Sequence, residues 1–126
     1  MIILAIDYGT RHVGLAISDE KEIVAARLPS LTIKRPEDLT DGLKSLRENV
    51  VFESVLFGLP EKGENRERIE EIAKEVGDEL DIEVNFWNED YSSKRAEKGT
   101  SKKFKKEKSH SEAARIILQE YLDRNL

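Results

Sequence analysis

The spacing of apolar residues changes part-way along the chain, and this change constrains the fold more than any other feature. Near the start, three short segments at 2–7, 13–18 and 23–33 have the apolar runs of β-strands. Pro29 restricts the third segment to a sheet edge or a bulge, because proline cannot donate a ladder hydrogen bond. Residues 8–11 have the length and the glycine of a hairpin connection. The sequence therefore predicts three adjacent antiparallel strands.

From residue 36 onward, helical and strand periods alternate. Pro36 suits the first position of a helix, and the leucines at 39, 43 and 46 recur at helical spacing. Strands are predicted at 54–59 and 83–87 and a terminal helix at 113–122, with an intervening helix whose apolar stripe is Ile69, Ile72, Ala73, Val76 and Leu80. Such alternation implies parallel strands with right-handed crossovers. We expect one α/β domain, 1–126, whose mixed five-stranded sheet has three antiparallel strands, then two parallel ones, and helices on both faces.

Length and composition exclude several classes of protein. The chain has 126 residues and no cysteine, which rules out a disulfide scaffold, a thiolate zinc site and a cysteine nucleophile. No apolar run approaches the roughly 18 residues that span a bilayer, and the first residues lack the basic region of a signal peptide. We therefore expect a cytoplasmic protein with no membrane partner.

The net charge of −5 hides an uneven distribution. Residues 94–108 carry eight basic residues against two glutamates, a local charge of +6, so the remainder carries −11. The basic residues are Lys94, Arg95, Lys98, Lys102, Lys103, Lys105, Lys106 and Lys108. One compact basic segment on an acidic body indicates either a localised contact with phosphate or an ordinary solvated loop.

Two acids follow predicted strands that should be parallel neighbours. Asp7 ends the first strand, and Glu89 follows the last one. Open α/β sheets bind ligands at the carboxyl ends of parallel strands, and two carboxylates there suit a hard cation. Each acid alone also fits a local role, Asp7 in a turn and Glu89 as a helix cap.

The terminal helix is preceded by a possible capping box, with Ser109 as the cap and Glu112 at the third position. For Glu112 this pattern favours capping over catalysis. His110 would lie in the first turn, near the same edge, as a metal ligand, a proton carrier or a solvated residue.

Four motifs resemble the YqgF (RuvX) family of Holliday-junction-resolvase-like proteins in the same order along the chain. They are DYGTRHVGLA at 7–16, GLP at 58–60, NEDYSS at 88–93, and SEAA at 111–114 leading into IILQEYL at 116–122. The resemblance implies an RNase H-like fold and a metal-dependent nuclease, proposed to process the 5′ end of pre-16S rRNA. An older suggestion for the family is the resolution of four-way DNA junctions.

The resemblance also implies site residues. The first two acids of the family fall on Asp7 and Glu89, whereas its third, an aspartate, falls on His110. Asn88 and Asp90 also depart from the usual Asp and Arg. An imidazole at position 110 should favour Mn²⁺ over Mg²⁺, because Mg²⁺ prefers oxygen ligands.

The remaining expectations concern partners. Gly9 and Thr10 would approach the scissile phosphate, while Arg11 and the basic segment would contact flanking phosphates. We expect structured RNA in preference to DNA junctions, no nucleotide cofactor, and a monomer or weak homodimer. A noncatalytic RNA-binding or ribosome-assembly factor is the main alternative. The Asp-x-Gly-Thr motif also resembles actin-like ATPases, but these need two lobes that 126 residues do not supply.

Overall fold

The computed structural model describes residues 1–60, 64–88 and 107–125, although not the side chains of residues 64 and 107–109. Within these ranges the elements are β1 (Ile3–Asp7), β2 (His12–Ser18), β3 (Ala25–Thr32), α1 (Glu37–Arg47), β4 (Ser54–Leu59), α2 (Glu64–Leu80), β5 (Glu83–Asn88) and α3 (Glu107–Arg124). The predicted order of strands and helices is confirmed for the described residues. No helix in the described ranges has the length and apolar character needed to cross a membrane.

The five strands form one mixed sheet in the order β3-β2-β1-β4-β5. The pairs β1/β2 and β2/β3 are antiparallel, and the pairs β1/β4 and β4/β5 are parallel. Pro29 lies in β3, at a sheet edge, where the missing N–H interrupts no central ladder. The parallel strands β1, β4 and β5 place their carboxyl ends at one edge of the sheet, which we call the carboxyl edge.

Helices α1 and α2 cover one face of the sheet. Alternate residues of β1, Leu4 and Ile6, are fully buried there, together with Phe57 of β4. The stripe on α2 that the sequence indicates is buried against them. This larger apolar cluster fixes α2 so that its amino-terminal turns lie near the carboxyl edge.

Helix α3 covers the opposite face, where the sheet presents small side chains. Ala5 of β1 and Ala16 of β2 are fully buried beside Leu118 of α3. The approach is closest at Gly14, where a Cβ atom would overlap the carbonyl oxygen of His110. Only glycine therefore permits the observed distance between β2 and the first turn of α3.

Ser111 fills an irregularity in the β2/β3 ladder. The strand register shifts between Val13 and Leu15, so the ladder is interrupted at this point. The Ser111 hydroxyl accepts a hydrogen bond from the N–H of Leu15 (3.2 Å) and donates one to the carbonyl of Leu28 (2.6 Å). The buried hydroxyl thus hydrogen-bonds to a backbone group of each strand, and these two bonds fix the first turn of α3 against the sheet.

The predicted capping box is wrong. Helix α3 is already formed at Glu107, so Ser109 lies inside the helix and not at its cap. Glu112 accepts hydrogen bonds from Arg115 at 2.6 and 3.0 Å, and Arg27 lies 3.6 Å away. The capping-box prediction failed for two reasons. The helix begins within the basic segment, before Ser109, and the carboxylate of Glu112 is bound by arginine side chains instead of a backbone N–H.

We expect Gly14→Ala to destabilise the protein by at least about 2 kcal/mol, because a methyl group cannot share the space of a backbone carbonyl. Chemical denaturation with a fluorescence readout of Trp87 would measure the change in the free energy of unfolding. Gly42→Ala is the matched control: its Cβ would meet only the flexible end of Leu31, at 3.0 Å, and alanine favours helix. Equal stability of Gly14→Ala and the native chain would contradict the close approach.

Candidate functional site

Asp7 is the last residue of β1 and is half-buried at the carboxyl edge. It pairs across the ladder with Gly14, and it follows Ile3 and Ala5 in the alternation of β1. Directly opposed residues in an antiparallel pair share a face. Asp7 therefore belongs to the face covered by α3, opposite the glycine on which the first turn of that helix rests.

Asp7 also lines a cleft of about 330 Å³ at the carboxyl edge. The cleft is bounded by three parts of the chain: the end of β1 with its turn, the residue after β4, and the first turns of α2. Its lining residues are Asp7, Tyr8, Gly9, Thr10, Pro60, Asn65, Arg68 and Ile69. Asp7 thus stands where this cleft meets the α3 face of the sheet.

Gly9 is required by the turn itself. A Cβ atom at Gly9 would lie 2.5 Å from the carbonyl oxygen of His12, so a larger residue would open the β1/β2 hairpin. Thr10 is exposed in the cleft. Arg11 is exposed beside it, and its carbonyl accepts a hydrogen bond from the N–H of Ile33 at 2.8 Å. The tight turn therefore keeps Thr10 beside Asp7.

Arg68 supplies positive charge to the cleft. Within the described ranges its guanidinium group makes no ion pair and no hydrogen bond, whereas Arg66, two residues earlier, donates to the carbonyl of Pro60 (3.0 Å) and lies 3.7 Å from Glu70. Burial raises the pKa of the Tyr8 hydroxyl, and the neighbouring Arg68 acts in the opposite direction. A cation at this position can accept an anionic ligand without first breaking a bond to another described residue.

His110 lies in the first turn of α3, half-buried, with its carbonyl oxygen against Gly14. Its ring contacts that of His12, the first residue of β2, with ring centroids 5.1 Å apart and planes tilted by 33°. The fold thus brings Asp7, His12 and His110 to the same end of one sheet face. Within the described residues, however, no group of three His, Cys, Asp or Glu could by itself hold a metal ion.

Several predicted site residues lie outside the described residues. They are Glu89, Lys94, Arg95, Lys98, Lys102, Lys103, Lys105 and Lys106; Lys108 lies in α3, but its side chain is not described. Glu112 is engaged by Arg115, whose hydrogen bonds hold the pKa of that carboxyl below its usual range. Glu112 is therefore paired with Arg115 and does not have the predicted capping role.

Sequence reasoning missed Asn65, Arg68 and His12. The first two lie on a helix that follows directly from β4, so its amino-terminal turns necessarily approach the carboxyl edge. That topological signal was present in the sequence. His12 carried no comparable signal, because its neighbour lies 98 residues further along the chain.

The sheet order and the position of the site define an RNase H-like fold. Two solved structures share it at low sequence identity. One is Thermus thermophilus RuvC in complex with a Holliday junction substrate (TM-score 0.62, 14% identity, covering 99% of this chain and 95% of that one). The other is the fowlpox virus Holliday junction resolvase (TM-score 0.58, 15% identity, covering 100% of both chains).

Sequence comparison defines the family. Residues 1–124 match the model of the RuvX family, described as Holliday junction resolvase. Relatives from Dictyoglomus thermophilum and Caldicellulosiruptor bescii, each 35% identical over 98% of this chain and 96% of their own length, carry the name "Putative pre-16S rRNA nuclease". The chain therefore belongs to the RuvX family. This is a family of nucleases, which are hydrolases of phosphodiester bonds.

Proposed function

We propose that this chain hydrolyses phosphodiester bonds in structured RNA, with Asp7 at the centre of a metal-dependent site. The observation that carries the proposal is that Asp7 and Arg68 line one cleft at the carboxyl edge. A carboxylate there can hold a divalent cation, and a guanidinium group can hold the phosphate beside it. The name of the relatives supports pre-16S rRNA as the substrate, and the titles of the structural neighbours make a four-way DNA junction the competing one.

Asp7, Glu89 and His110 are the proposed metal ligands. Asp7 offers the oxygen that Mg²⁺ and Mn²⁺ both accept, and His110 offers a nitrogen that Mn²⁺ tolerates better. A bound divalent ion would supply an activated water and stabilise the leaving oxygen. Because the described residues do not complete a metal site by themselves, the proposal needs Glu89, an oxygen of the substrate, or both.

Arg68 is the proposed phosphate contact nearest to Asp7. The planar guanidinium group can donate two parallel hydrogen bonds to a phosphate, and Asn65 and Thr10 offer further polar groups from the same cleft. Arg11 and the basic residues at 94–108 would hold the phosphates further along the strand. Phosphate contacts would give affinity without distinguishing one base from another. The shape of the nucleic acid, and not its sequence, would therefore decide which substrate is bound.

We expect Asp7→Asn to keep the fold and lose more than about 100-fold in cleavage rate, because losing a direct metal ligand should cost more than the roughly 10–100-fold lost when a group that only orients a ligand is removed. The assay compares a precursor 16S rRNA fragment with a four-way DNA junction, in Mn²⁺ and in Mg²⁺. Asp41→Asn, which removes an exposed carboxylate from α1, is the matched control. Cleavage by Asp7→Asn at the native rate would refute the assignment. Metal-insensitive binding without cleavage by the native chain would indicate a noncatalytic factor.

We expect Arg68→Ala to weaken binding of the same RNA about tenfold or more, because a charge-assisted phosphate contact is lost. The slope of log affinity against log salt should fall by about one. Binding is measured in the Asp7→Asn background, so that no cleavage interferes. Lys74→Ala on α2 is the matched control, since it removes the same charge from the same helix but outside the cleft. Equal affinity and salt slope in the two variants would exclude Arg68 as a contact.

A further inference from the structure

The chain contains two histidines, at positions 12 and 110, and the fold places one against the other. His12 opens β2, and His110 lies in the first turn of α3. Their ring centroids are 5.1 Å apart. Both side chains are half-buried, so the pair is partly shielded from solvent but still open to a small ligand.

The backbone on both sides of this pair is held tightly. The carbonyl of His110 packs on Gly14, and the hydroxyl of the next residue, Ser111, is hydrogen-bonded to both β2 and β3. His12 pairs with Thr32 of β3, and its own carbonyl abuts Gly9. The two rings are therefore presented by elements that cannot separate without breaking buried contacts, which is the preorganisation that a ligand site requires.

The separation of the rings matches two imidazoles on one metal ion. An imidazole nitrogen lies about 2.0–2.1 Å from a zinc ion, which leaves two ring centroids about 5 Å apart at a near-tetrahedral angle. We propose that His12 and His110 together bind a divalent transition-metal ion of the Zn²⁺ or Co²⁺ type. His12 is the ligand that this assignment adds to the site.

The register places this ion next to the proposed catalytic carboxylate. Gly14 is the ladder partner of Asp7, and His12 precedes Gly14 by two residues on the same face of β2. Such diagonal neighbours are about 7–8 Å apart, so an ion held by the two histidines would lie near Asp7 without Asp7 being one of its ligands. With two protein nitrogens, the ion keeps open positions for water or a phosphate oxygen. The inference rests on the proposed function only for this adjacency; metal binding by the two histidines stands independently of cleavage.

The test is calorimetric titration of the full, tag-free, metal-stripped chain with Zn²⁺, repeated with Mg²⁺. The native chain should bind one equivalent of Zn²⁺, and His12→Gln and His110→Gln should each weaken that affinity at least about tenfold, since each removes a direct ligand. The Mg²⁺ affinity should be the same in the native chain and in His12→Gln, because Mg²⁺ selects oxygen. Zn²⁺ should also raise the unfolding temperature of the native chain more than that of His12→Gln.

Imidazole NMR spectra provide a second readout. With two histidines in the chain, Zn²⁺ should shift the ring nitrogens of both in parallel, at one equivalent. Unchanged Zn²⁺ affinity in His12→Gln, or a shift confined to His110, would overturn the proposal and leave the ring contact as packing only. Loss of cleavage in Asp7→Asn alongside such a result would show that the nuclease assignment holds while the two-histidine site does not.

Discussion

The close approach of α3 to β2 is the constraint on which the site depends. Gly14 leaves room for the carbonyl of His110, and the hydroxyl of Ser111 replaces the missing ladder bonds between β2 and β3. Further along α3, the side-chain amide of Gln119 bonds to the backbone of Ala25 and of Ile23, both at 2.9 Å. The helix is thus fixed by directional bonds as well as by apolar packing, and its first turn cannot slide away from the end of β1.

The two faces of the sheet contribute different parts of the site. The face under α3 brings histidine side chains to Asp7, whereas α2, on the other face, brings Arg68 and Asn65. Asp7 lies between these two groups of side chains because β1 is the central strand and ends at the carboxyl edge. An acid, two imidazoles and a guanidinium group are thereby gathered around one strand end, although the chain as a whole carries a net charge of −5. Under the proposed function, metal-binding groups on one face and phosphate-binding groups on the other would hold a phosphodiester between them at the carboxyl edge.

Local sequence patterns predicted the helices and strands well in segments where apolar residues followed a single helical or strand pattern. The leucines of α1 and the apolar run of β4 gave elements close to those observed, and Pro29 correctly indicated an edge strand. The capping-box pattern at Ser109 and Glu112 failed, because a four-residue pattern cannot register that the helix has already begun or that Arg115 takes the carboxylate. Asp7 could be placed at the carboxyl edge from sequence, since parallel strands align their ends.

The sequence by itself determined the order of strands and helices, the position of Asp7 at a strand end and membership of a nuclease family, because these depend on residue spacing and on ordered motifs. Only the tertiary structure decided which residues share space with Asp7. The contact between His12 and His110 spans 98 residues, and the place of Arg68 in the cleft depends on how α2 packs on the sheet. Such contacts follow from the packing of whole faces, which a local pattern does not encode.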